Sequence, residues 1–218
     1  MIPFDLRLYA IADTGLIDAD DLVDAVCAAV QGGATAVQLR DKAPDTRARV
    51  AYARALRAAL PPEVPLIVND RVDVALAAGV DGVHLGQLDL APEDARALLG
   101  EDRIVGITVH HAHEAKVRTR VDYAGLGPVF RTTSKDPKDP PLGPLGLAKL
   151  VAATRDELGD LPLCAIAGID LGHVPEVIGA GVDGIAVISA LFGHAKVEAA
   201  AQALRAAVDA ALQERDGR

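Results

Sequence analysis

The stretch Gln38-Leu39-Arg40-Asp41-Lys42 brings an amide and two cations within five residues. Alternation along an extended segment sets Gln38 and Arg40 on one face, with Lys42 opening the loop beyond. That grouping suits a phosphate or pyrophosphate, because an arginine fork grips two oxygens at once. The same residues would equally serve a plain salt bridge at a strand end through Asp41. Asn69-Asp70 and Gln87-Leu88-Asp89 each carry a carboxylate just past an apolar run. If those runs are neighbouring strands, about 4.8 Å apart, Asp70 and Asp89 can share one cation. Two hard oxygen ligands completed by phosphate oxygens is the usual way Mg2+ is held. The plainer roles are a helix cap for Asp70 and a turn at Asp89 ahead of Pro92.

Three further stretches complete a phosphate-binding vocabulary. Thr132-Thr133-Ser134-Lys135 offers hydroxyls, backbone N–H groups and a lysine. Ala167-Gly168-Ile169 and Ile188-Ser189-Ala190 offer backbone that an oxygen can approach closely. Turn chemistry would account for any one of these alone; their joint placement at successive strand ends favours a ligand. His110-His111-Ala112-His113 raises the question of zinc. No cysteine lies nearby to complete such a site, and adjacent imidazoles diverge, so the remaining role is a hydrogen-bonding or general-base function for His110. His84 reads as a packed residue inside a strand.

Positioning these groups requires many strand ends on one face. β-rich runs occur at 6–12, 36–40, 65–70, 82–86, 103–110, 123–130, 163–169 and 184–189, and helical spacing fills segments between them, as at 21–30 and 46–60. A last amphipathic stretch runs over 195–214. Strict alternation predicts a parallel α/β sheet, and eight units favour a closed (β/α)8 TIM barrel forming one catalytic domain over 1–218, with a doubly wound open sheet the alternative that the pattern alone leaves standing. Ala78-Gly79-Val80-Asp81-Gly82 recurs letter for letter 102 residues later as Ala180-Gly181-Val182-Asp183-Gly184, and Gly32-Gly33-Ala34-Thr35 is a looser copy. That interval is four units of about 25 residues, half a barrel. Residues 131–144 carry no helical or strand pattern, and a loop that long in a compact fold is a binding loop or a lid.

Composition narrows the ligand. The chain has 218 residues with 31 acidic and 22 basic side chains, a formal charge of −9, which disfavours nucleic acid and anionic membranes as partners. Only three Phe, three Tyr and no Trp are present, too few for a base-stacking platform. No run approaches the roughly 18 apolar residues of a membrane span. The N-terminal residues do not read as a signal peptide, and the two cysteines, Cys27 and Cys164, read as free thiols in a reducing cytoplasm. The expected partners are small phosphorylated molecules; oligomeric state is left open, a homo-oligomer included.

Taken in order, these stretches resemble the thiamine-phosphate synthase family. The resemblance runs from Tyr9-Ala10-Ile11 to Ile188-Ser189 and includes Asn69-Asp70-Arg71, the segment from Asp81 to Asp89, and the segment from Gly127 to Lys135. It implies a (β/α)8 barrel that condenses hydroxymethylpyrimidine diphosphate with a hydroxyethylthiazole phosphate, giving thiamine monophosphate and pyrophosphate. By the same resemblance Gln38, Leu39, Arg40, Asp41, Lys42, Asn69, Thr108 and Lys135 bind the pyrimidine diphosphate. Arg40, Lys42, Lys135 and Thr108 would act in catalysis, and Asp70 and Asp89 would hold Mg2+. Thr132, Thr133, Ser134, Gly168, Ile188 and Ser189 would bind the thiazole phosphate. Four positions depart from the common pattern: Thr108 for serine, Ser134 for threonine, Arg131 for proline and Ala167 for glycine. The rivals are a thiazole tautomerase-like isomerase working through His110, and a non-catalytic thiamine-precursor binding barrel.

Overall fold

The structure, a computed structural model, describes residues 4–132 and 139–217. Eight strands pair in parallel in chain order and close into a barrel: β1 (Leu8–Asp13), β2 (Ala36–Arg40), β3 (Leu66–Asn69), β4 (Gly82–Leu85), β5 (Ile104–Val109), β6 (Tyr123–Leu126), β7 (Leu163–Ile166) and β8 (Gly184–Val187). Around them lie α1 (Leu22–Gln31), α2 (Thr46–Ala59), α3 (Val72–Ala78), α4 (Pro92–Leu99), α5 (Gly143–Leu158), α6 (Val174–Gly179), α7 (Ser189–Phe192) and α8 (Val197–Asp216). A 3-10 turn at Ala112–Ala115 takes the place of a full helix between β5 and β6.

Several strands stop earlier than their apolar runs, three of them for a plain backbone reason. Asp70 ends β3 with φ +65°, and Ala167 and Gly168 end β7 with φ +85° and +67°, outside the extended region. The run after Leu126 meets Pro128, which has no N–H for a ladder. Helix boundaries follow their local signals: the Asp45 carboxylate accepts from the N–H groups of Arg47 and Ala48 at 2.9 and 3.2 Å, and Pro92 occupies the first turn of α4.

The period-2 pattern divides the core in two. Along β1, Leu8, Ala10 and Ala12 face the helices, while Tyr9 and Ile11 point into the barrel. The outer layer packs these and their equivalents against Leu22 and Val26 of α1, Leu56 of α2, Leu147 of α5 and Leu204 of α8. The inner layer is small and includes Tyr9, Ile67, Tyr123 and Cys164.

The N-terminal ends of the strands are tied by a device that repeats every second strand. Asp81, just before β4, accepts the Leu66 N–H of β3 at 2.8 Å; Asp122 does the same for Val105 of β5, and Asp183 for Leu163 of β7, both at 2.8 Å. Thr35, before β2, accepts from Leu8 of β1 at 3.1 Å. Each aspartate is also gripped by an arginine from an outer helix: Arg57 at 2.5 Å, Arg96 at 2.6 Å and Arg155 at 3.0 Å. Arg205 of α8 reaches the Gly33 carbonyl at 3.0 Å in the fourth sector. The copied pentapeptides are thus two of four equivalent corners, with Asp81 before β4 and Asp183 before β8, half a barrel apart.

Candidate active site

The opposite, C-terminal ends of the strands surround a cavity of about 500 Å3 lined by Asp13, Thr14, Arg40, Lys42, Ile188 and Ser189, among others. Arg40 ends β2 on its inward face and forms an ion pair with Asp13, the last residue of β1, its register partner. Lys42 forms an ion pair with Asp70 beyond β3. Two carboxylates therefore hold the cations at the mouth. Of the two other members expected to bind substrate, Leu39 is placed differently, while Asp41 lines the cavity with its carboxylate turned into the fold. Leu39 alternates outward and packs in the outer core. The Asp41 carboxylate is buried, accepting from Thr14 Oγ1 at 2.8 Å and the Ala43 N–H at 2.9 Å, with Arg49 3.5 Å away. It holds the loop that presents Lys42.

Asp70 and Asp89 meet as expected. They lie close enough for the charge of one to act on the other. Burial pushes Asp70 up, but the Lys42 ammonium and the neighbouring Asp89 carboxyl outweigh it and hold Asp70 below its ordinary value. Burial and the neighbouring Asp70 charge raise Asp89, partly offset by the Gly86 N–H that it accepts at 2.7 Å. Asp70 reaches this place through a left-handed backbone, φ +65°, anchored by its N–H on the His84 carbonyl at 2.8 Å. A non-glycine residue there costs on the order of 1 kcal/mol, strain of the kind that collects at ligand sites. Among the described residues no three His, Cys, Asp or Glu side chains are grouped to hold a metal. Two neighbouring carboxylates beside a cavity nevertheless fit a hard divalent cation that takes its other ligands from phosphate and water.

A smaller recess of about 30 Å3 adjoins the same mouth and is lined by Thr132, Ala167, Gly168, Ile188 and Ser189, among others. Ile188 and Ser189 line both spaces. A Cβ at Gly168 would lie 2.3 Å from the Arg131 carbonyl oxygen, so this turn requires glycine. Thr133, Ser134 and Lys135 lie outside the described residues. Asn69 ends β3 in register with His84, and Thr108 Oγ1 sits on β5, 2.8 Å from His84 Nε2.

The three clustered histidines do not converge on a point. His110 Nδ1 lies 3.5 Å from Glu114, whereas the His111 and His113 rings stack 5.7 Å apart. His111 also pairs with Asp139 at 3.3 Å. Sequence reasoning passed over Asp13, because the first strand was ended at Ala12; reading that strand end like the others would have found it. It also passed over Tyr9 and Tyr123, whose hydroxyls meet inside the barrel. The available signal was Gly106, a glycine within a strand, which sits opposite Tyr123.

Comparison with known proteins agrees with this geometry. The family model described as thiamine monophosphate synthase matches residues 8–191. The thiamine-phosphate synthase of Agrobacterium fabrum is 47% identical over 97% of this chain and 97% of its own length. That of Xanthobacter autotrophicus is 50% identical over 96% of this chain and 98% of its own. Among solved structures, a thiamine phosphate pyrophosphorylase from Pyrococcus furiosus superposes with a TM-score of 0.84 at 37% identity, covering 97% of this chain and all of that one. Thiamine-phosphate synthases are transferases, and this chain belongs to the thiamine monophosphate synthase family.

Proposed function

We propose that the chain joins hydroxymethylpyrimidine diphosphate to hydroxyethylthiazole phosphate, releasing pyrophosphate and thiamine monophosphate. The observation that carries this reading is the set of groups at one mouth: Arg40 and Lys42 facing a cavity whose far wall, Ile188 and Ser189, is shared with a glycine-lined recess. One end suits a diphosphate, the other a monophosphate.

The reaction breaks the bond between the pyrimidine methylene and the diphosphate oxygen, and the bonding pair leaves with pyrophosphate. The methylene cation is delocalised into the aminopyrimidine ring, and the thiazole nitrogen then attacks the same carbon. No protein nucleophile is called for. Arg40 and Lys42 exchange their contacts with Asp13 and Asp70 for diphosphate oxygens, placing positive charge where negative charge grows. Freed from Lys42, Asp70 with Asp89 would hold Mg2+, which supplies further charge neutralisation to the departing oxygens. Lys135, by resemblance, adds a third cation from the loop after β6. Ala167, Gly168 and Ser189 would hold the thiazole phosphate through backbone and hydroxyl groups, bringing the ring nitrogen to the methylene.

The test is pyrophosphate release by the purified protein with both substrates, with and without Mg2+. Release that needs all three, matched by thiamine monophosphate, is the expected result. A folded protein that binds both substrates and releases nothing would refute the synthase reading in favour of a binding barrel.

A further inference from the structure

Beneath the cavity, an unbroken file of hydrogen bonds crosses the barrel interior. Gln38 Nε2 of β2 donates to the Tyr9 hydroxyl of β1 at 2.8 Å. The Tyr9 and Tyr123 hydroxyls are 2.7 Å apart, Tyr123 is 2.9 Å from His84 Nδ1, and His84 Nε2 is 2.8 Å from Thr108 Oγ1. Gln38, Tyr9 and Tyr123 are at most 2% exposed, so water does not compete for these groups. The two ends of the file, Gln38 and Thr108, are among the residues that the family resemblance assigns to the pyrimidine diphosphate.

Counting hydrogens fixes the direction of the file. Tyr9 accepts from Gln38, and Tyr123 is the other partner of its buried hydroxyl, so donation to Tyr123 is the arrangement that satisfies the Tyr9 hydrogen. The Tyr123 hydrogen is then directed at Nδ1 of His84, which must accept. In a neutral ring the proton then sits on Nε2 and is donated to Thr108 Oγ1, so the Thr108 hydrogen points elsewhere. Gln38, with its amide nitrogen engaged, keeps its carbonyl oxygen as its free end. Burial raises both tyrosines above their ordinary value, so each keeps its hydrogen. The sequence makes room for this arrangement: a Cβ on Gly106 would lie 2.1 Å from the Tyr123 ring.

We propose that Tyr9, Tyr123 and His84 are positioning residues that orient this file in one direction, so that Gln38 meets the ligand as an acceptor and Thr108 as a donor. The file thereby selects a pyrimidine that presents a donor to Gln38, as a ring amino group does, over one that presents a carbonyl at that position. The proposal rests on the synthase reading for the identity of the ligand, but the direction of the file does not.

The test compares the 4-amino pyrimidine diphosphate with its 4-oxo analogue in wild type, Tyr9→Phe and Tyr123→Phe. Either substitution keeps the ring and removes one link, freeing the Gln38 amide to turn over. The wild type prefers the amino substrate; each variant narrows the ratio of kcat/KM values by roughly tenfold, and the double variant narrows it no further than one single. The KM for the thiazole phosphate stays at the wild-type value. A ratio unchanged in both variants, or losses that add and appear equally with both analogues, overturns the selection. A second measurement needs no turnover: the 15N spectrum of His84, assigned with His84→Asn, should show Nε2 protonated and Nδ1 accepting near pH 8. A ring protonated on Nδ1 overturns the direction. Wild-type protein that releases no pyrophosphate defeats the synthase reading instead, and the proposal is then decided by the 15N spectrum.

Discussion

The two ends of this barrel use the same side chains for opposite purposes. At the N-terminal end, Arg96 donates to Asp122 and also to the carbonyls of Gly100, Arg103 and Arg120, and Asp122 in turn holds the Val105 N–H. Every partner there is a fixed piece of the fold. At the C-terminal end, Arg40 and Lys42 are paired with the carboxylates of Asp13 and Asp70, groups that can be exchanged for those of a ligand. Residue type does not separate structural from functional charge in this molecule. What separates them is whether the partners of the cation include backbone carbonyls that cannot leave, or are side chains that a ligand can replace.

The widest effects should fall on different observables at the two ends. Arg96→Ala removes the buried cation from Asp122, leaving it only the more exposed Arg120 at 2.9 Å, and frees three backbone carbonyls; it should lower unfolding free energy by roughly 2–4 kcal/mol, read by denaturant titration. Activity per folded molecule at low temperature should survive. Lys42→Ala should show the reverse: kcat/KM down by roughly 10²–10³-fold and stability within about 0.5 kcal/mol, since Lys42 is 54% exposed. If Lys42→Ala unfolds the protein, or Arg96→Ala removes activity from folded protein, the division between the ends is wrong.

Asp70 refines the comparison, because it is both strained and charged. Asn tolerates the left-handed backbone that Asp70 adopts, so Asp70→Asn removes charge with little disturbance of shape. Activity at saturating Mg2+ should fall by roughly 10²-fold or more. The midpoint of thermal unfolding without ligand should hold or rise. Chelation of the wild type should likewise stop pyrophosphate release and leave that midpoint in place. A midpoint that falls by several degrees on chelation would mean that the cation is structural.

The barrel interior lies between the two ends, and pH reaches it selectively. Burial pushes the Cys164 thiol up to about 12, from an ordinary value of 9.0. The tyrosines Tyr9 and Tyr123 are raised in the same direction. A group whose folded value is raised contributes stability that is complete below its unfolded value and is lost as pH climbs through the gap. The folded state should therefore weaken from about pH 9 towards pH 12, with the unfolded chain taking up the negative charge. Denaturant midpoints at pH 8 and pH 11 measure it. Cys164→Ser, with a hydroxyl that does not ionise in this range, should flatten part of the slope.

Much of this was legible in the sequence, for reasons that differ by residue. The barrel followed from eight alternating units, and the pairing of Asp70 with Asp89 followed from their positions after adjacent strands. Rim positions obey a rule of placement, so residue order alone brought Gln38, Arg40 and Lys42 to one face. The outward turn of Leu39 was equally written in the alternation of β2. The buried tie of Asp41 to Arg49 was not, because Arg49 lies a helix turn into α2 and no periodicity reports on ion pairs. The file from Gln38 to Thr108 was illegible for a further reason: it joins five residues on β1, β2, β4, β5 and β6, and closure of the barrel alone brings them together.

The smallest expected effect tests whether the recess follows the rule of the mouth or that of the floor. Ala167 adopts φ +85° immediately before Gly168 at +67°. An L-residue in that region costs roughly 1–2 kcal/mol relative to glycine. Glycine in turn costs roughly 0.4–1 kcal/mol through the freedom of the unfolded chain. The difference favours Ala167→Gly by up to about 1.6 kcal/mol, visible as a small rise in the thermal midpoint. If the recess binds phosphate through its backbone, as the mouth binds through exchangeable partners, the same substitution should shift the KM for the thiazole phosphate and leave that for the pyrimidine diphosphate unchanged. A stability gain with both KM values fixed would place Ala167 with the floor, as fold and nothing more.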